Sequence, residues 1–260
     1  MKENTNPVIT KYKMTDQTKR FKGHTLHRIV ALRDFNDVKT GDLGGWIESY
    51  NNLDQDGDCW IYHKGKAFES SNVNDNAIVT HHGIIRGNAI ATNCSKIEHF
   101  AVVTDGAYLQ YHAKATGHCL ISGETLLSDD CTVGEHAFVT HGAMIKDTAL
   151  IIGHAQITDN AVISGDVCIG HLTHIGIHGR INSEHQFVTI ENLINFGSSS
   201  TLYRGIDDSE HKTYVASVQN ADRAIPLSDV IKSPFYSTDI GTQFLDELCD
   251  LIHGPHEPIY

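Results

Sequence analysis

The chain lacks most of the features that announce a function directly. No apolar run approaches the length needed to cross a bilayer. Residues 1–20 are polar and carry no apolar signal core, so a cytoplasmic protein is expected. Basic residues are few: 20 Lys and Arg face 32 Asp and Glu, a net charge of −12. Without a Lys/Arg cluster, non-specific binding of nucleic acid or of an anionic membrane is not expected. The six cysteines form no CxxC and meet no zinc spacing, so they read as reduced thiols. A nucleophile elbow, a P-loop, a GxGxxG between strand and helix and an HExxH are all missing. Ser199, Ser200 and Thr201 after Gly197 read as a polar turn, since no helix follows directly. No cofactor is expected.

What the chain does have is a six-residue period, unbroken from Cys59 to Phe187. Every sixth residue from Ile61 is apolar: Ile61, Ala67, Val73, Val79, Ile85, Ala91, Ile97 and so on to Ile181 and Phe187. Two residues before each stands, with few exceptions near the end, a small one, such as Gly65, Ser71, Ala77, Ala89, Cys119 and Ala155. Two inward positions separated by two residues mean a short strand, because side chains alternate faces. Two and three residues after the aliphatic come pairs such as Asp75-Asn76, Asp105-Gly106, Asp159-Asn160 and Gly165-Asp166. Gly, Asn and Asp tolerate tight corners and positive φ. Strand signal and turn signal therefore share one phase.

A chain that turns equally every six residues winds into a coil, and three hexads make one triangular turn. Residues eighteen apart then stack, with coils about 4.8 Å apart. The fold class expected is all-β, a solenoid of about seven coils and about 34 Å in height. Its left-handed sense comes from the resemblance to hexapeptide-repeat proteins. One coil cannot bury its own interior, so both ends need caps. Residues 1–58 are read as an N-terminal arm and cap, with residues 1–20 a polar arm, a strand around Leu26, Ile29 and Ala31, and Trp46 as an apolar plug. Residues 59–187 are the solenoid. Residues 188–260 form a C-terminal module: a hairpin of Leu202-Tyr203-Arg204 with Lys212 to Ala216, then a helix from Asp239 with Phe244, Leu245, Leu248, Leu251 and Ile252 on one stripe.

The run Ala31-Leu32-Arg33-Asp34-Phe35, then Gly44-Gly45-Trp46-Ile47-Glu48, Asn52-Leu53, Gln55 and Gly57-Asp58-Cys59-Trp60-Ile61-Tyr62 resembles the start of hexapeptide-repeat proteins of tailed phages and prophages. It also resembles the enterobacterial YdcK-type proteins, described as transferases. The resemblance covers the cap closely and the solenoid in kind. It implies three-fold association, hence a homotrimer.

Stacking the repeat at eighteen residues sorts the histidines. One corner carries His63, His81, His99 and His171 in one column, and His82, His118, His136 and His154 in the next. The following corner is acidic, with Asp75, Asp129, Asp130, Asp147, Asp166 and Glu184. Hexapeptide acyltransferases, which this repeat resembles, use a histidine in the cleft between prisms as general base. His81, His99, His118, His136 and His154 are the catalytic candidates on that reading. His63, His82 and His171, with Trp46, Tyr203 and Arg204 in the caps, are the binding candidates. Gamma-class carbonic anhydrases share the repeat, but only His136 and His141 stand five apart, and Phe100 occupies the position two coils before His136. No metal site is expected, although imidazoles one coil apart can share a cation. A self-facing seam of histidines would also repel itself in acid.

Nothing interrupts the period, so the loop that helps acyltransferases build their pockets is absent from the coils. On that ground the leading expectation is a non-enzymatic, phage-type solenoid. Its partner would be a host protein, for instance a component of a defence system, or a small anionic ligand in clefts between subunits. The alternative is a trimeric acyltransferase using a corner histidine. A structural protein of a virion is a third reading.

Overall fold

The structure is a computed structural model, and it describes residues 10–191, 199–207, 210–217, 225–226 and 229. The chain is a parallel β-helix of the left-handed class. Rungs of two residues succeed one another in three faces. The first face runs from Trp46–Ile47 through Lys66–Ala67 to His174–Ile175. The second runs from Trp60–Ile61 to Cys168–Ile169, and the third from Asn72–Val73 to Arg180–Ile181. Rungs pair in parallel with the rung eighteen residues on, as Val102 does with Leu120.

The period places the core. In each rung the aliphatic residue points inward, and Ile85, Ile97, Ile121, Ile145 and Ile163 are all fully buried. The small residue before it, Ala89, Ala101, Ala113 or Cys119, is equally buried. Each large aliphatic so enclosed contributes about 1.5–3 kcal/mol. The expected turns are present, and Asp75, Asn93, Asp105, Asp129 and Asp159 all take positive φ there.

The same turns explain much of the acidic patterning. Asp75 Oδ2 accepts from the Asn93 amide at 3.1 Å, Asp129 Oδ2 from Asp147 at 3.3 Å, and Asp147 Oδ2 from Gly165 at 2.8 Å. A turn carboxylate thus caps the amide one coil above, which holds each corner in register.

Parallel pairing starts upstream of the unbroken period. Trp46–Ile47 already pairs with Lys66–Ala67, twenty residues on, and Leu53 bridges Val73. The extra length is taken up by a short 3-10 turn, Tyr50–Asn52, capped by Ser49. Here the small inward residue is Gly45, whose added Cβ would lie 2.5 Å from Ile61 Cγ2 and 2.6 Å from the Gly65 carbonyl oxygen.

The N-terminal segment differs from a polar arm. Tyr12–Phe21 and His24–Ala31 form an antiparallel hairpin that extends the first face beyond its first rung. Lys11 and Tyr12 are fully buried. The plug is Trp60, not Trp46. Trp60 is 2 % exposed and meets the Phe35 ring edge-on at 5.3 Å and Tyr12 at 6.1 Å. Alternation decides this: Gly45 and Ile47 take the inward positions, so Trp46 must face outward. At the other end, Phe187–Glu191, Ser199–Asp207 and Glu210–Ser217 form the antiparallel hairpin module, joined by Ile225–Pro226. It docks through the Ile206 amide on the His178 carbonyl at 3.0 Å. The helix expected from Asp239 lies outside the described residues.

Candidate functional site

The histidine corner lies between the second and first faces, and its two columns have different origins. His63, His81, His99 and His171 occupy the first turn position with φ of 48°, 54°, 57° and 56°. Histidine enters the left-handed region more readily than most side chains. The second column is a stack of rings. His82 stacks on Phe100 at 4.7 Å, Phe100 on His118 at 4.6 Å, His118 on His136 at 5.2 Å and His136 on His154 at 4.9 Å. Phe100, which breaks the zinc spacing, is therefore a full member of a five-ring ladder. His81 and His99 form a separate stacked pair at 4.7 Å.

One histidine on this corner is held differently from its neighbours. Glu98 and Thr116 project outward on the second face, one coil apart, and His99 follows Glu98 into the turn. Thr116 Oγ1 donates to Glu98 Oε1 at 3.1 Å. His99 Nδ1 sits 2.9 Å from that same Oγ1 and 3.6 Å from Glu98 Oε1. Lys114 Nζ lies 2.6 Å from Glu98 Oε1. The Glu98 side chain is only 16 % exposed. Burial alone would raise its pKa, but the hydrogen bond and charge of Lys114, with the Thr116 hydroxyl, hold it below the ordinary glutamate value.

That charge state orders the protons. An ionised carboxylate only accepts, so the Thr116 hydroxyl must give its proton to Glu98. Its oxygen is then left to accept from His99 Nδ1–H. Nε2 becomes the nitrogen with the free lone pair, on a ring whose side chain is 52 % exposed. The result is a histidine with a fixed tautomer, a fixed orientation and an outward basic nitrogen, which is the arrangement of a general base.

A stretch of 94 residues is 33 % identical to YdcK of Escherichia coli strain K12, described as an uncharacterized acetyltransferase. The match spans 33 % of this chain and 29 % of that protein. No family model matches the chain.

The remaining candidates fall in several places. His171 and His154 line one recess with Glu135, Ile152, Gly153, Cys168, Gly170, Glu184 and Phe187. His63 is exposed at the first turn, 6.0 Å from the Tyr62 ring. Trp46 lies beneath Lys19 Nζ at 4.1 Å, far down the first face. Tyr203 is fully buried, and its hydroxyl donates to the Ile177 carbonyl at 3.0 Å. Arg204 lines a small cavity of about 130 Å³ with Arg180, Asn182 and Gln186. The histidine corner is thus assembled as one strip, while Trp46, Tyr203 and Arg204 stay apart from it. Among the described residues, no group of three or more His, Cys, Asp or Glu could hold a metal ion. No helix among them is long and apolar enough to cross a membrane.

Sorting the histidines alone misses Glu98, Thr116 and Lys114. The eighteen-residue register does hold the signal, because Thr116 stands one coil above Glu98. The network also has a pH signature. Glu98 has a depressed folded pKa, so its contribution to stability is full above the unfolded glutamate pKa of about 4.3 and is lost as the pH falls through the folded value. In urea titrations, Glu98→Gln is expected to be less stable than the parent at pH 7. The gap should close toward pH 3, and a constant gap would show that the carboxylate is unpaired.

Proposed function

We propose that the chain is an acyltransferase of the hexapeptide-repeat kind, with His99 as general base on an incoming hydroxyl or amine. The single observation that carries this is the His99–Thr116–Glu98 relay, which leaves Nε2 as the basic nitrogen. The partial similarity to an acetyltransferase-described protein supports it. It favours the enzyme over a purely binding solenoid. Oriented general bases contribute about 10²–10⁴ in rate.

The unbroken period leaves no loop to enclose a donor, so the site draws its walls from a neighbouring copy in a homotrimer. Two faces carry half-buried apolar rows suited to such packing. On the first face the row is Ile84, Val102, Leu120 and Phe138; on the third it is Ile90, Tyr108, Leu126, Met144 and Val162.

The test is turnover with acetyl-CoA and a panel of amine and hydroxyl acceptors. Thr116→Val removes the relay hydroxyl at constant volume and is expected to lower kcat by about 10- to 100-fold with little change in KM. Thr116→Ser should restore most of it, because a merely structural defect would not be rescued by the shorter hydroxyl. Absence of turnover with every acceptor, and of any thermal shift with acetyl-CoA, would leave the relay without a reaction.

A further inference from the structure

The recess at the upper end of the histidine corner has a chemistry of its own. Its volume is about 610 Å³, within the range of small-molecule sites. The floor is Ile152, Gly170 and Cys168 on the second face, and Phe187 closes the top. Gly170 makes the depression. A Cβ there would meet Ile152 Cγ1 at 3.5 Å and Cδ1 at 4.0 Å, both ordinary contacts, so the position is open without strain.

Among the described residues, the charges lining this recess are of one sign: Glu135 enters from the histidine corner and Glu184 from the acidic corner, and neither lysine nor arginine joins them. Both carboxylates act inside it: after burial, Glu184 and then Glu135 push the Cys168 thiol upward. Glu135 is also oriented, because its Oε2 accepts from the Gly153 amide at 2.8 Å. The imidazoles of His154 and His171 border the same space.

From this geometry we infer that the recess binds an organic ammonium ion with an apolar body. The charged end lies between the two carboxylates, and the body rests on Ile152 and the Phe187 ring. Carboxylates on two sides favour a cation, and the apolar floor with its aromatic wall selects an organic cation over a hydrated metal ion. The site stands about three coils, or about 15 Å, above His99, so binding there does not depend on acyl transfer.

Isothermal titration of the full chain with phenethylammonium, at constant ionic strength and without any acyl donor, tests this. Saturable binding is expected, with none for the isosteric anion phenylacetate. Gly170→Leu fills the depression and should weaken binding at least about tenfold, while Glu135→Gln and Glu184→Gln should each weaken it several-fold. His99→Ala should bind as the parent does, which separates this site from the proposed catalytic one. Equal binding of phenylacetate, or binding unaltered in a folded Gly170→Leu protein, would overturn the inference. So would the lack of saturable binding at millimolar ligand.

Discussion

Lys11→Met is expected to loosen the N-terminal cap while leaving the coils above it formed. Lys11 is fully buried, which for a lysine requires that its ammonium be satisfied on all sides. Its Nζ lies 2.9 Å from the Asp56 carbonyl, 3.1 Å from that of Cys59, 3.4 Å from that of Gly57 and 3.1 Å from Cys59 Sγ. These groups belong to the irregular chain between Leu53 and the rung Trp60–Ile61, and one cation gathers them. The ammonium also sits 5.6 Å from the Phe35 ring. Methionine fits the stem but leaves the carbonyls unpaired. At about 1–3 kcal/mol for each buried group so stranded, the loss is about 3 kcal/mol or more.

In a solenoid each coil contacts only its neighbours, so this loss falls on the cap rather than on the whole. Hydrogen exchange should therefore accelerate across Tyr12–Ala31 and Trp60, with rungs beyond about Val103 protected as before. Lys13→Met, at an exposed position in the strand Tyr12–Phe21 that follows Lys11, is the control. Equal protection in the Lys11 and Lys13 variants would show that the ammonium does not hold the cap.

How much of this was readable beforehand follows from how regular each part is. Rungs, turns, interior and histidine columns were legible because one six-residue rule repeats, and each hexad corroborates the next. Tyr203 and the hairpin around it were legible as strands by alternation alone. The cap was legible only in outline. Trp46 and Trp60 are both large and apolar, and which one plugs the end depends on the phase of Gly45 and Ile47, twenty residues rather than eighteen from their partners. Lys11 was not legible at all, since its partners, the Cys59 thiol apart, are backbone carbonyls at and before the start of the period and carry no side-chain signature. The relay falls between these cases. Glu98, Thr116 and Lys114 lie in the periodic region, and the register stacks Thr116 on Glu98, whereas Lys114 stands over Lys96 and reaches Glu98 from the neighbouring column. Their meaning appears only with the distances, because a polar outward row is ordinarily just a solvated face.

Those distances lead to the sharpest expectation, that the histidines of one corner are not equivalent. His99→Ala should lower kcat by about 10²–10⁴ if acyl transfer is the reaction. His118→Ala and His136→Ala should change it by no more than about twofold, since their rings stack within the ladder and stand apart from the Glu98–Thr116 relay. His81→Ala is the intermediate case, because that ring stacks on His99 at 4.7 Å and restrains it without sharing the relay. A loss of about three- to tenfold is expected there, with no change in the proton-transferring group. Steady-state kinetics of the four variants decide the matter. If His118→Ala or His136→Ala proves as damaging as His99→Ala, catalysis depends on the ladder as a whole and the relay is not its source. If only His99 matters, the corner is a structural stack that carries one working imidazole, and Glu98→Gln should lower kcat as Thr116→Val does.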